Sequence, residues 1–143
     1  MLQACRDRLE DQLPQADGRT GLLADFQRLR SGVSTMSGGV EFFVLPQGVS
    51  GQPANLATGF FRQPVTRQIA VVTLVRANDG TGEKALEGIE ETLDAIHAAF
   101  CGWAPDDELG VFELAQERPF DNGTGFVAFM TTFRINDQLR FAS

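Results

Sequence analysis

The stretch Ile69–Val75, "IAVVTLV", constrains this chain more than any other. It is β-branched and apolar, and only Thr73 interrupts it. It falls far short of the roughly 20 residues that cross a bilayer. With its flanks, Thr66–Arg76 reads as a strand whose core lacks polar–apolar alternation, which predicts a central strand covered on both faces. Such a strand needs partners on either side and layers above and below, and the remaining sequence must supply them.

Helical spacing recurs in three places. Leu2, Cys5, Leu9 and Leu13 share one side of a helix over Met1–Leu13, which Pro14 ends. Asp17–Thr20 reads as a turn. A shorter helix follows on Leu22, Leu23, Phe26, Leu29 and Arg30, stopped by Ser31–Gly32. The third helix is expected over Glu83–Phe100, where Leu86, Ile89, Leu93, Ile96 and Phe100 form an apolar stripe and Gly102 stands ready as a cap.

Strands are expected at Val40–Leu45, Thr66–Arg76, Val111–Ala115 and Phe126–Arg134, the last extendable to Asn136. Phe129, Thr131, Phe133 and Ile135 line one face of it, with Val127 as a further member. Glu117–Gly125 reads as the turn of a terminal hairpin. Gln47–Pro64, rich in Gly, Pro, Ser and Asn, reads as a long functional loop. The sum is an α+β fold: one roughly four-stranded, mostly antiparallel sheet, with helices on one side and a long loop between the first two strands. A single domain over 1–143 is expected, comprising N-terminal helices (1–32), strand–loop–strand (39–76), a long helix (83–101) and a terminal hairpin (111–136).

Length and composition exclude several classes. A chain of 143 residues, 43% apolar and 22% charged, can bury a core without disulfides. A net charge of −7 argues against nucleic acid as the main partner, because phosphate backbones demand clustered Lys and Arg. Met1–Gln12 carries charges where a secretory signal would be apolar, so synthesis in a reducing cytoplasm with free thiols is expected.

The glycine-rich turn "NDGTGEKAL", Asn78–Leu86, tests for nucleotide chemistry. A phosphate loop needs GxxxxGK followed by Ser or Thr, so that backbone N–H groups, an amine and a metal-binding hydroxyl sit at fixed offsets. Here Gly80 and Gly82 are two apart, Glu83 intervenes before Lys84, and Ala85 replaces the hydroxyl. Glu83 would also put negative charge where an anion docks. The turn is punctuation. His97 is the sole histidine, so a helix-packing role outweighs catalysis. Cys101, near a helix end, reads as a small buried residue, and Cys5 as a helix-face residue. Asp106–Glu108 lacks the spaced oxygens of a calcium loop, and Glu113 and Glu117 read as surface carboxylates. No catalytic, cofactor or metal constellation is expected.

Several segments, in order, resemble the phage tail terminator (tail completion) family of Mu-like and related tailed phages: "FFVLPQG" at Phe42–Gly48, "NLATGFFRQPVTRQIAVVTLVR" at Asn55–Arg76, "NDGTGEKAL" at Asn78–Leu86, and Gly102–Trp103 followed by Pro105. The resemblance implies a non-enzymatic virion protein without cofactor or metal. It would form a homohexameric ring on the head-proximal end of the tail tube, end tube polymerisation and present a surface to the neck or head. The implied partners are copies of itself, the tube protein and a neck or head completion protein, with sheath as a further candidate. DNA would be passing cargo only, and no membrane is involved. Assembly would take place in the host cytoplasm. Phe60, Phe61, Arg62, Gln63 and Arg67 are the expected subunit or tube contacts, since aromatics and Arg are enriched in interface cores; the opposing reading buries both Phe rings in the subunit's own core. Glu87, Glu90, Glu91 and Asp94 are candidates for a lumen or partner face, against the plainer reading of a solvated surface. Two alternatives stand beside this: a neck or head–tail joining adaptor, and a small nucleotide-binding protein using the Asp79–Lys84 turn.

Overall fold

A computed structural model describes residues 1–16, 18, 20–30, 40–56, 59–76, 88–106, 110–120 and 126–142. The elements are α1 (Leu2–Gln12), a 3-10 turn (Pro14–Ala16), β1 (Thr20–Gly21), α2 (Leu23–Arg30), β2 (Val40–Gly51), β3 (Phe60–Arg76), α3 (Ile89–Phe100), β4 (Glu113–Phe120) and β5 (Phe126–Ala142). The five strands lie in the order β1-β2-β3-β5-β4. All neighbours are antiparallel except β1 and β2. β3 is central, as its unbroken apolar run demands, and every residue from Ile69 to Val75 is buried.

Both faces of β3 are covered by helices, which corrects the one-sided arrangement. Phe42, Val44, Ile69, Val71, Phe133 and Ile135 pack beneath α1 and α3, against Cys5, Leu9, Leu93, Ile96 and Phe100. The alternate residues Phe43, Leu45, Val72, Leu74 and Ala128 pack with Phe26 of α2 on the other side. The Phe26 and Phe43 rings lie 5.2 Å apart. Successive strand side chains point to opposite faces, so apolar residues at consecutive positions of β2 and β3 require a helix on each side.

An aromatic cluster seals the first face. Phe100 lies 5.0 Å from Phe133, 6.1 Å from Phe112 and 5.9 Å from Trp103. Each such pair contributes about 0.5–1.5 kcal/mol beyond its burial. Arg8 ties α1 to this cluster: Nε donates to the Ala99 carbonyl at 2.8 Å, and the guanidinium lies 5.3 Å from the centre of the Trp103 ring.

Element bounds differ from expectation in five places. The sheet has five strands rather than four, because Thr20–Gly21 pairs with Phe42–Phe43 where a plain turn was expected. The loop foreseen at Gln47–Pro64 is largely strand: β2 continues to Gly51 and β3 begins at Phe60, with one register shift between Pro46 and Gly48. β4 spans Glu113–Phe120, so Glu117–Phe120 is strand rather than turn; Pro119 is tolerated because β4 is an edge. β5 runs on to Ala142, six residues beyond Asn136. The third helix begins at Ile89 behind Gly88, whose φ of 78° is left-handed backbone that a helix interior does not accept. Lys84, Glu87 and the rest of the glycine-rich turn lie outside the described residues, as do Asp107–Leu109 and Asp121–Gly125.

Gly21 marks where β1, α2 and the sheet converge. A Cβ there would stand 2.8 Å from the Asp25 Cβ and 2.9 Å from the Phe43 ring. The Asp25 carboxylate also accepts from the Leu22 N–H at 2.9 Å, closing the first turn of α2. Gly21→Val therefore overpacks this junction and lowers stability by roughly 1–3 kcal/mol, read as an earlier midpoint in chemical denaturation.

Candidate assembly surface

The central strands outrun the helices that cover them. Beyond Ile69 the sheet continues as a three-stranded arm built from Pro46–Gly51, Phe60–Gln68 and Asn136–Ala142, held by an unbroken β3–β5 ladder from Arg76↔Phe126 to Phe60↔Ala142. Among its residues Val65 is buried, whereas Pro46–Gly51 and Arg140–Ala142 are exposed. Large apolar side chains stand in the open along it: Leu56 is 79% exposed, Phe141 58% and Phe60 37% near its end, and Val49, opposite Arg67 nearer the base, 54%.

The five residues singled out in the sequence gather on this arm. Phe60 and Phe61 belong to neither buried cluster. Phe61 is half-buried against Phe141, ring centres 6.2 Å apart. The Arg62 guanidinium sits 5.2 Å from the centre of the Phe60 ring, while the Arg62 and Asn55 backbones exchange hydrogen bonds of 2.7 and 3.3 Å. Gln63 donates from Nε2 to the Gln52 carbonyl at 2.8 Å, fixing the turn of the hairpin. Arg67 lies further back, on the opposite face from Arg62, and pairs with Asp137 at 2.7 Å. It also borders a groove of about 460 Å³ that Met1, Leu2 and Gln3 of the N-terminus share with Pro46, Val49 and Ile69.

Electrostatics hold the arm's base. Burial would raise the Asp137 carboxyl, but the Arg67 hydrogen bond, the Gln138 N–H and the charges of Arg67 and Arg140 outweigh it and hold the pKa below its ordinary 3.8. Asp137 was not singled out in the sequence; its signal is the register that sets it diagonally from Arg67, and register is not written in composition. Glu90, Glu91 and Asp94 are exposed on the outer side of α3, away from the arm, and Glu87 lies outside the described residues.

The one imidazole serves structure. Glu117 is half-buried rather than a free surface carboxylate, and its Oε1 accepts from Thr131 Oγ1 at 2.7 Å and lies 2.8 Å from His97 Nε2. A nucleophilic relay places the imidazole between hydroxyl and carboxylate. Here the carboxylate stands in the middle and the hydroxyl is buried, so the trio clasps α3 to the β4–β5 hairpin. Glu113 is exposed and pairs with Arg134 at 2.7 Å. Cys101 is exposed at the end of α3, not buried as expected, because it occupies the capping position where the chain leaves the core. Burial pushes the Cys5 thiol up to about 12, with the N-terminal ammonium opposing it, so Cys5 stays protonated. Among the described residues, no group of three or more His, Cys, Asp or Glu is placed to hold a metal ion, and no helix is long and apolar enough to cross a membrane.

A depressed carboxylate stabilises the fold fully above its unfolded pKa and loses that contribution as pH falls through the folded value. Wild type should therefore exceed Asp137→Asn in stability by roughly 0.5–1 kcal/mol at neutral pH, and the gap should close as pH drops below about 4. Parallel urea titrations across pH measure it.

A family model described as phage tail terminator protein matches residues 2–142, nearly the whole chain. No curated protein matches the chain.

Proposed function

Because this chain belongs to the phage tail terminator family, a family of structural phage-tail proteins, we propose that it acts by shape alone, as a ring closing the head-proximal end of the tail tube. The ring, hexameric in this reading, ends tube polymerisation and offers its other side to a neck or head completion protein. No bond is made or broken. Tube protein and further copies of the chain are the main partners, sheath is a further candidate, and DNA passes through the lumen.

One observation carries this reading: the uncovered arm. Exposed Leu56, Phe60 and Phe141 near the end of the β-extension, with Val49 nearer its base, leave apolar surface that a partner would remove from water. A ring is built from two different patches on each subunit that complement one another until rotation closes it. Phe60, Phe61, Arg62, Gln63 and Arg67 supply one such patch, to a neighbouring subunit or to the tube. The acidic side of α3, with Glu90, Glu91 and Asp94, faces the lumen or a partner.

Light scattering of the free chain, and electron microscopy of tube protein polymerised with and without it, test the reading. Tubes of limited length with a density at one end are expected; unlimited tubes with bare ends contradict it. Phe61→Asp should abolish capping while shifting Tm by less than about 4 °C, the equivalent of about 1 kcal/mol. A larger loss would place that ring among the side chains that hold the subunit together.

A further inference from the structure

Two oppositely charged patches lie at opposite poles of the sheet. At the arm's end Arg62 and Arg140 are direct cross-strand partners and so share a face. Like charges set directly opposite one another destabilise a sheet. Among the described residues neither guanidinium has a carboxylate within salt-bridge distance. Arg62 lies over the Phe60 ring and Arg140 donates to the Gln138 side chain at 2.8 Å. In a chain of net charge −7, this is a cationic, aromatic tip whose nearest described carboxylate, Asp137, is already paired with Arg67.

The other pole is acidic. Phe100 packs on Phe133, while His97, one turn earlier, meets Glu117 beside Thr131. Since Thr131 lies nearer than Phe133 to the Arg76↔Phe126 end of the ladder, the N-terminal end of α3 points away from the arm. Glu90, Glu91 and Asp94 there are exposed, Asp94 by 74%. From Arg62 to Val71, the partner of Thr131, the strand spans about 30 Å, so tip and acidic side cannot meet within one chain. They can meet between copies.

We propose that the Arg62–Arg140 tip of one subunit docks on the Glu90–Asp94 side of α3 in the next, as the head-to-tail contact that propagates and closes the ring. The inference rests on the ring reading and assigns its two halves. Phe60 supplies the apolar centre of the contact and the five charges its rim, so the contact fixes orientation as well as affinity. Because the two halves differ, the contact is heterologous and runs the same way round every subunit.

Paired charge reversals test it. Arg62→Glu with Arg140→Glu, and separately Glu91→Lys with Asp94→Lys, should each weaken self-association or tube capping by at least about tenfold, while thermal melts show both variants folded. Mixing the two should restore assembly, because acidic tip meets basic helix and basic tip meets acidic helix around an alternating ring of even number. The chain carrying all four changes should assemble by itself. If either variant assembles like wild type, or the mixture stays dispersed although both are folded, the assignment falls and the ring reading survives. If wild type neither self-associates nor caps a tube, both fall together.

Discussion

A mismatch of length governs this molecule. β3 and β5 are 17 residues each and pair along their whole length, a reach of about 56 Å. Among the described residues, the helices on the sheet are 11, 8 and 12 residues long, or about 12–18 Å. Helices of that size cover the sheet around β3's apolar run and no more. The rest of the sheet must stand out as an arm, satisfied in its backbone by its own ladder and left with its side chains to water or to another molecule.

That division separates stability from assembly. What holds the subunit is the packing of α1 and α3 around Phe100, Phe112 and Phe133, with Phe26 and Phe43 on the other side. The His97–Glu117–Thr131 clasp and the Arg8–Ala99 hydrogen bond pin the helical layer to the sheet. None of these groups is on the arm. Side chains at the arm's end can therefore diversify toward a partner at little cost to the fold, provided the ladder and the Arg67–Asp137 pair are kept.

The sequence was informative where periodicity was strong. The apolar run of β3, the stripe on α3 from Ile89 to Phe100 and the alternation of Phe129, Thr131, Phe133 and Ile135 all lie where they were read. Other features were illegible for physical reasons. β1 is two residues long, too short for any period, and is visible only through the space Gly21 leaves for Phe43. The side of the sheet that α2 covers could not be read, because Phe42 to Leu45 are all apolar and name no solvent face, although the two-sided burial of β3 already demanded a second layer. The arm looked like a loop because Gly48, Ser50, Gly51 and Pro64 are loop residues in the abstract; in place they are tolerated by a strand with little above or below it. The interface candidates from Phe60 to Arg67 were legible as a group, but their strand setting and the pairing with Asp137 and Arg140 were not, since register joins residues some 70 positions apart.

The account turns on the claim that copies of this chain meet through the exposed arm. Electron cryo-microscopy of a capped tube end, at a resolution that traces strands, addresses it directly. The predicted image has the Phe60–Gln68 and Asn136–Ala142 strands of each subunit seated on its neighbour, inside continuous protein density. A ring closed through α1 and α2, with every arm projecting into solvent, would contradict it.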